Sequence, residues 1–87
     1  MKKITLLTAL FAVQLFAADL TIAMDAIERG DFKTAFEYFK IAAEQGNPIA
    51  QQNLAVLYNN GLGVKQDPQS AAYWIEQSSQ SAKIALK

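Results

Sequence analysis

The sequence predicts an all-α fold, an α-solenoid of about two helix-turn-helix hairpins that spans residues 19–87. Apolar residues recur there at spacings of three and four, which is the pattern of amphipathic helices. Joints rich in glycine, proline and capping residues interrupt this pattern three times, and the second half partly repeats the first at a period of 36 residues. Because one hairpin cannot bury its apolar face alone, the pattern favours stacked hairpins.

The joints divide this region into four helices, and each joint combines a helix end with a helix start. The predicted N-caps are Asp31, Asn47 and Asp67, whose side chains can accept hydrogen bonds from free amides of the first turn. Pro48 and Pro68 follow two of these caps, at a position where a helix does not use the amide hydrogen. The residues predicted to close the preceding helices in the left-handed conformation are Gly30, Gly46 and Gly61.

The apolar stripes agree with these boundaries. The first helix, from about Leu20 to Arg29, is apolar on more than one face. The other predicted stripes are Phe32, Ala35, Phe36, Phe39, Ala42 and Ala43 in the second helix, Ala50, Leu54, Leu57 and Tyr58 in the third, and Ala71, Trp74, Ile75 and Ser78 in the fourth. At the period of 36 residues, Asp31 corresponds to Asp67 and Phe39 to Ile75.

Residues 1–17 form a different kind of segment. The basic start Met1-Lys2-Lys3 precedes a mostly apolar stretch without charge, and the small residues Ala17 and Ala18 precede the first acid. This order is typical of a secretory signal peptide, and we expect cleavage after Ala17 or Ala18. The alternative is an uncleaved anchor, although an apolar run of about 15 residues falls short of the roughly 20 that cross a bilayer. Export from a bacterial cell would make the protein periplasmic or secreted, with only transient membrane contact through the leader.

The composition excludes several kinds of chemistry. The chain has no cysteine and no histidine, which removes disulfides, a thiol nucleophile, an imidazole base and the usual zinc ligands. Eight basic residues balance eight acidic residues, so no charge excess favours nucleic acid as a partner. Gly61-Leu62-Gly63 follows a predicted helix and lacks the third glycine and the lysine of phosphate-binding loops. We therefore expect no cofactor, no metal and no nucleic acid.

The most specific pattern surrounds the third helix and the loop after it. Its residues are Ala50, Leu54, Ala55, Tyr58, Gly61, Gly63, Val64, Asp67, Ala71 and Trp74. In identity and spacing they resemble the Sel1-like repeat, a relative of the tetratricopeptide repeat, over Phe32 to about Ser79. The first hairpin lacks the Gly-x-Gly loop, and at the end of the family pattern Ser78-Ser79 replaces Ala-Ala and Ala82 replaces the closing glycine. Both departures suit the end units of a repeat array.

The resemblance implies a non-catalytic adaptor that holds a protein or peptide in a groove. By position in the family pattern, the groove-facing residues would be Gln52, Val56 and Asn59 of the third helix, with Met24 and Ile27 from the first helix. Side-chain amides beside an apolar patch suit an extended peptide, whose backbone they can hydrogen-bond. The alternative interpretation of Gln52 and Asn59 is an ordinary solvated helix face.

Two other functions stay open from the sequence. One is a purely structural unit, either a homo-oligomer or a truncated member of a longer repeat family, because repeat arrays generally need about three units for stability. The other is a hydrolase, since some cysteine-rich secreted proteins of the repeat family that this chain resembles are described as penicillin-binding or β-lactamase-like. This chain has no cysteine and no Ser-x-x-Lys motif, and its nearest Ser–Lys pair is Ser81 and Lys83. We therefore expect no enzymatic activity.

Overall fold

The computed structural model describes residues 19–85 and shows four helices in that region. Helix α1 covers residues 19–28, α2 covers Phe32–Glu44, α3 covers Pro48–Asn60 and α4 covers Pro68–Ala85. The predicted all-α solenoid class is confirmed. The predicted leader at residues 1–17, with its cleavage site after Ala17 or Ala18, lies outside the described residues.

The predicted capping side chains begin helices α2, α3 and α4, and the predicted left-handed glycines end the helices that precede them. The side chain of Asp31 accepts a hydrogen bond from the Thr34 amide at 3.3 Å, and Asn47 accepts one from the Ala50 amide at 3.0 Å. Asp67 caps α4 by accepting from the amide of Ser70 at 3.3 Å. The glycines that close the preceding helices have left-handed φ values, +74° at Gly30, +97° at Gly46 and +66° at Gly61.

One hydrophobic cluster joins α1, α2 and α3. Its largest fully buried side chains are Phe39 of α2 and Leu54 and Leu57 of α3. Fully buried alanines surround them, which lets the helix axes approach closely; these are Ala23, Ala26, Ala35, Ala42 and Ala50. Helix α3 therefore lies inside the stack, with the earlier hairpin on one side and α4 on the other.

The loop between α3 and α4 folds back on both hairpins. The Asp67 amide donates to the carbonyl of Tyr58 at 2.9 Å, and the Gln66 side chain donates to the carbonyl of Asn59 at 2.8 Å. A β-carbon at Gly63 would lie 2.1 Å from the carbonyl oxygen of Phe32. The second glycine of the Gly-x-Gly loop is therefore required by close contact with the start of α2, as well as by its φ of +71°.

The fourth helix differs from its predicted stripe at one residue. Ala71 and Ser78 are buried and Trp74 is half-buried, as the spacing predicts. Ile75, however, is 59% exposed, because no other helix in the described part of the chain covers that side of α4.

Within residues 19–85, no helix is both long enough and apolar enough to cross a membrane.

Candidate protein-binding groove

An open groove of about 530 Å³ runs between α3 and α4. Two exposed aliphatic side chains lie in it, Val56 of α3 at 51% exposure and Ile75 of α4 at 59%. The other lining residues are Gln52, Ala55, Asn59 and Asn60 of α3 and Pro68, Ala71, Ala72 and Ser78 of α4. None of the lining residues carries a charge, so apolar contact and amide hydrogen bonding are the chemistry that this surface offers.

The position of the groove follows from the two sides of α3. Gln52, Val56 and Asn59 are four and then three residues apart, so they share one side of the helix. The residues of α3 that are buried in the stack are Ala50, Gln51, Leu54, Ala55 and Leu57. The packing that fixes these buried side chains therefore presents the three predicted groove residues together on the open side.

Apart from the buried Gln51, which donates to the Ala43 carbonyl, the amide side chains of α3 divide into two groups. Asn53 and Asn60 each donate to a carbonyl one turn earlier, at Ile49 and at Val56, and these bonds occupy their NH₂ groups within the helix. The side-chain amides of Gln52 and Asn59 form no hydrogen bond with another residue of the described region. These two amides are therefore available to a bound chain, each with a donor and an acceptor.

The two residues predicted from the first helix lie elsewhere. Met24 is half exposed and lines a separate shallow depression on α1, together with Leu20, Thr21, Asp25 and Glu28. Ile27 packs against the hydrophobic cluster. The structure thus brings together Gln52, Val56 and Asn59 but places neither Met24 nor Ile27 in the same groove.

The opposite wall of the groove, on α4, was missed as a site by the sequence interpretation. Its exposed members are Pro68, Ala72 and Ile75. The spacing of three and four residues predicts that Ile75 belongs to the apolar stripe of α4, and the period of 36 residues also aligns it with Phe39. The signal that could have identified this wall is the spacing of Pro68, Ala72 and Ile75, which lie four and then three residues apart on one side of α4.

The titration shifts in the described region belong to helix caps. The pKa of Asp67 is lowered from its usual 3.8 because the Ser70 hydroxyl donates to it at 2.7 Å and backbone amides add further hydrogen bonds. Hydrogen bonds from the side chain and backbone of Thr34 lower the pKa of Asp31 in the same direction. Both shifts are explained by helix capping.

Two further features of this region bear on metal binding and on nucleophilic chemistry. Residues 19–85 contain no cluster of three or more acidic residues that could hold a metal ion. Ser81 is half-buried and Lys83 is exposed, and two residues apart on a helix they do not face one another. The uncharged lining of the groove, with its aliphatic and amide side chains, supports contact with another molecule.

Comparison with known proteins identifies the family. The Sel1 repeat model matches two adjacent segments, residues 25–47 and 48–82, which together cover more than half of the chain. The chain belongs to the Sel1 repeat family. The boundary between the two matched repeats falls at the Asn47–Pro48 joint, where α3 begins. Sel1 repeats generally mediate protein–protein interactions.

A curated relative gives a second, more local match. The ERAD-associated E3 ubiquitin-protein ligase component HRD3B of Arabidopsis thaliana is 40% identical over 45 residues, which are 52% of this Sel1 repeat chain. The matched stretch spans only 8% of the length of that relative. No solved structure matches the chain significantly.

Proposed function

We propose that this Sel1 repeat protein is an exported scaffold that binds a protein or peptide in the cell envelope, with the groove between α3 and α4 as its binding surface. The observation that carries this proposal is the combination of two unbonded side-chain amides with two exposed aliphatic side chains in one uncharged groove. Membership in a family that mediates protein–protein interactions supports it. The Arabidopsis relative is named as a component of a larger ligase, which also favours a role in assembly.

The spacing of the two amides fits an extended peptide. Gln52 and Asn59 are seven residues apart, which corresponds to about 10 Å along a helix axis. Three residues of an extended chain span about the same distance. A peptide lying along α3 could therefore hydrogen-bond both amides through its backbone, while Val56 and Ile75 accept an apolar side chain between them.

The binding test compares capture by three versions of the protein. Wild-type protein and the variant Gln52→Ala/Val56→Ala/Asn59→Ala are used as bait against the envelope fraction of the native cells. The matched control, Glu37→Ala/Lys40→Ala/Glu44→Ala, removes three exposed side chains of α2 outside the groove. We expect one partner to bind the wild type and the control but not the groove variant, with equal helicity in all three. Equal capture by the groove variant would move the binding surface elsewhere.

Export is tested independently of binding. If residues 1–17 act as a cleaved leader, protein recovered from the periplasm or the medium begins at Ala18 or Asp19. Mass spectrometry of the intact protein from fractionated cells reads this start directly. Recovery of a chain that retains Met1 in the cytoplasmic fraction would contradict export and would leave the groove proposal unaffected.

A further inference from the structure

The outer face of α4 lacks the cover that the equivalent face of α2 has. Ala72, Ile75 and Ser79 are all exposed. The residues 36 positions earlier are Phe36, Phe39 and Ala43 of α2, and they pack beneath α3. The ring of Phe36 meets Tyr58 edge-on at 5.3 Å, and the Gln51 side chain donates to the Ala43 carbonyl at 3.0 Å. By internal equivalence, the outer face of α4 is therefore shaped to receive a helix.

The α2–α3 contact also fixes the direction of that helix. The start of α3 lies beside the end of α2, where Gln51 meets Ala43, and the end of α3 lies beside the start of α2, where Tyr58 meets Phe36. The two helices are thus antiparallel. A helix that covered α4 in the same way would run antiparallel to it.

Two side chains of opposite charge lie beside this face and make it complementary to the same face of a second copy. Glu76 and Lys83 are both exposed, and their separation of seven residues puts them on one side of α4, about 10 Å apart along the axis. Neither side chain forms an ion pair with another residue of the described region. In an antiparallel pair of α4 helices related by a two-fold axis between Ser79 and Gln80, Glu76 of each copy would lie opposite Lys83 of the other.

We propose that the part of this outer face defined by Ile75, Glu76, Ser79 and Lys83 binds the α4 helix of a second copy of the chain. The small side chain of Ser79, next to the axis, permits a close approach of the helices, and Ile75 supplies apolar contact. The two-fold arrangement closes on itself, so it forms a dimer and not a filament. Gln52, Val56 and Asn59 lie on α3 outside this contact. Ile75, however, also lines the groove, so a second copy and a bound peptide would compete for this side chain.

The test is a charge-swap experiment on purified protein at low salt. Wild type, Glu76→Lys, Lys83→Glu and the double variant with both changes are measured by sedimentation equilibrium over about a hundredfold range of concentration, because a single helix pair is smaller than a standard interface. Each single variant places two like-charged pairs in its homodimer. We expect each to weaken self-association by about tenfold or more, whereas the double variant regains wild-type association.

Mixing the two single variants gives the sharpest outcome. In their heterodimer every pair is again of opposite charge, so an equimolar mixture should associate more tightly than either variant alone. Glu37→Lys, an exposed change on α2, serves as the control and should associate like wild type. A wild type that stays monomeric throughout would overturn the proposal and would leave this face to a helix of another protein. Single variants that associate like wild type, or a mixture without recovery, would also overturn it.

Discussion

Helices α2 and α4 are the equivalent helices of two repeats, yet they differ in what covers them. Ala35 and Ala71 are both buried, as are Ala42 and Ser78, so the inner faces of the two helices match. Phe39 is fully buried, whereas Ile75, which is 36 residues later, is 59% exposed. The difference arises because α3 covers this face of α2, whereas no described helix covers the equivalent face of α4. The position of a residue in the repeat determines which face of its helix the side chain lies on. Whether a neighbouring helix packs on that face determines whether the side chain is buried.

The two intrarepeat loops extend this contrast. The α1–α2 loop turns at Gly30, where a β-carbon would have no atom within 4 Å. The α3–α4 loop is longer and presses Gly63 against the backbone at Phe32. The second loop therefore helps to hold the two repeats together, while the first loop only reverses the chain.

The largest expected difference is between alanine substitutions at the two equivalent apolar positions. Phe39→Ala removes a fully buried ring and should lower the free energy of unfolding by about 3–5 kcal/mol. Ile75→Ala removes an exposed side chain and should change it by less than about 0.5 kcal/mol. Urea denaturation followed by circular dichroism measures both. Comparable losses at the two positions would show that α4 is covered in solution.

Next in size is the contrast between the two loop glycines. Gly30→Ala forces a β-carbon into the left-handed region and should cost about 1–2 kcal/mol. Gly63→Ala adds a clash with the Phe32 carbonyl to the same backbone strain, so its loss should be clearly larger. The comparison uses the same denaturation measurement. An equal loss of unfolding free energy for the two substitutions would mean that the α3–α4 loop does not pack against α2.

The joint between the repeats depends on one capping side chain. Asn47→Ala removes the hydrogen bond to the Ala50 amide at the start of α3 and should cost about 1 kcal/mol. Asn53→Ala is the control, because its bond to the Ile49 carbonyl is exposed and internal to the same helix. We expect its effect to stay below about 0.5 kcal/mol. If Asn53→Ala lowers the melting temperature more than Asn47→Ala does, the Asn47 cap does not stabilise this joint.

The smallest expected effect is the loss of stability at low pH that comes from the capping carboxylates of α2 and α4. Because the pKa of Asp67 in the folded protein lies below its usual 3.8, its carboxylate contributes stability that is fully present above that value. This contribution is lost as the pH falls through the lower pKa of the folded state. Asp67→Asn keeps a capping oxygen, so the variant should lose less stability than wild type between about pH 5 and pH 2.

Asp31→Asn offers the matched comparison for this pH effect. The carboxyl of Asp67 accepts from the Ser70 hydroxyl and from two backbone amides, whereas the pKa of Asp31 is lowered by hydrogen bonds from Thr34 alone, with smaller effects of nearby charges. We expect the pH dependence to be reduced more by Asp67→Asn than by Asp31→Asn in melts recorded across this range. The opposite ranking would show that the cap of α2 is the more strongly bonded of the two.

Much of the fold follows from local signals that the sequence carries. The caps at Asp31, Asn47 and Asp67 and the left-handed glycines each act within one turn, so they could be predicted without knowledge of the tertiary structure. The side of α3 that carries Gln52, Val56 and Asn59 followed from family position and helical spacing, because its opposite side must be buried.

The rest depends on packing between elements that periodicity does not describe. Spacing identifies the residues on one face of a helix, but it does not say whether another helix covers that face. For this reason spacing predicts Ile75 in the apolar stripe, although its side chain is exposed. Position in the family pattern likewise does not describe packing, and Met24 and Ile27, predicted from it, do not line the groove between α3 and α4. The contact of Gly63 with Phe32 joins residues 31 positions apart and has no local signal apart from the glycine itself.

The most direct measurement of the difference between α2 and α4 uses single cysteines, because the chain has none of its own. Cysteine is placed at Ile75 or at Ala42 in separate variants, and the rate of reaction with a thiol reagent is measured at low protein concentration. We predict that Cys at position 75 reacts nearly as fast as it does in urea, whereas Cys at position 42, beneath the stack, is strongly protected. Equal protection at the two positions would contradict an open face on α4, and with it the groove proposed as the binding surface.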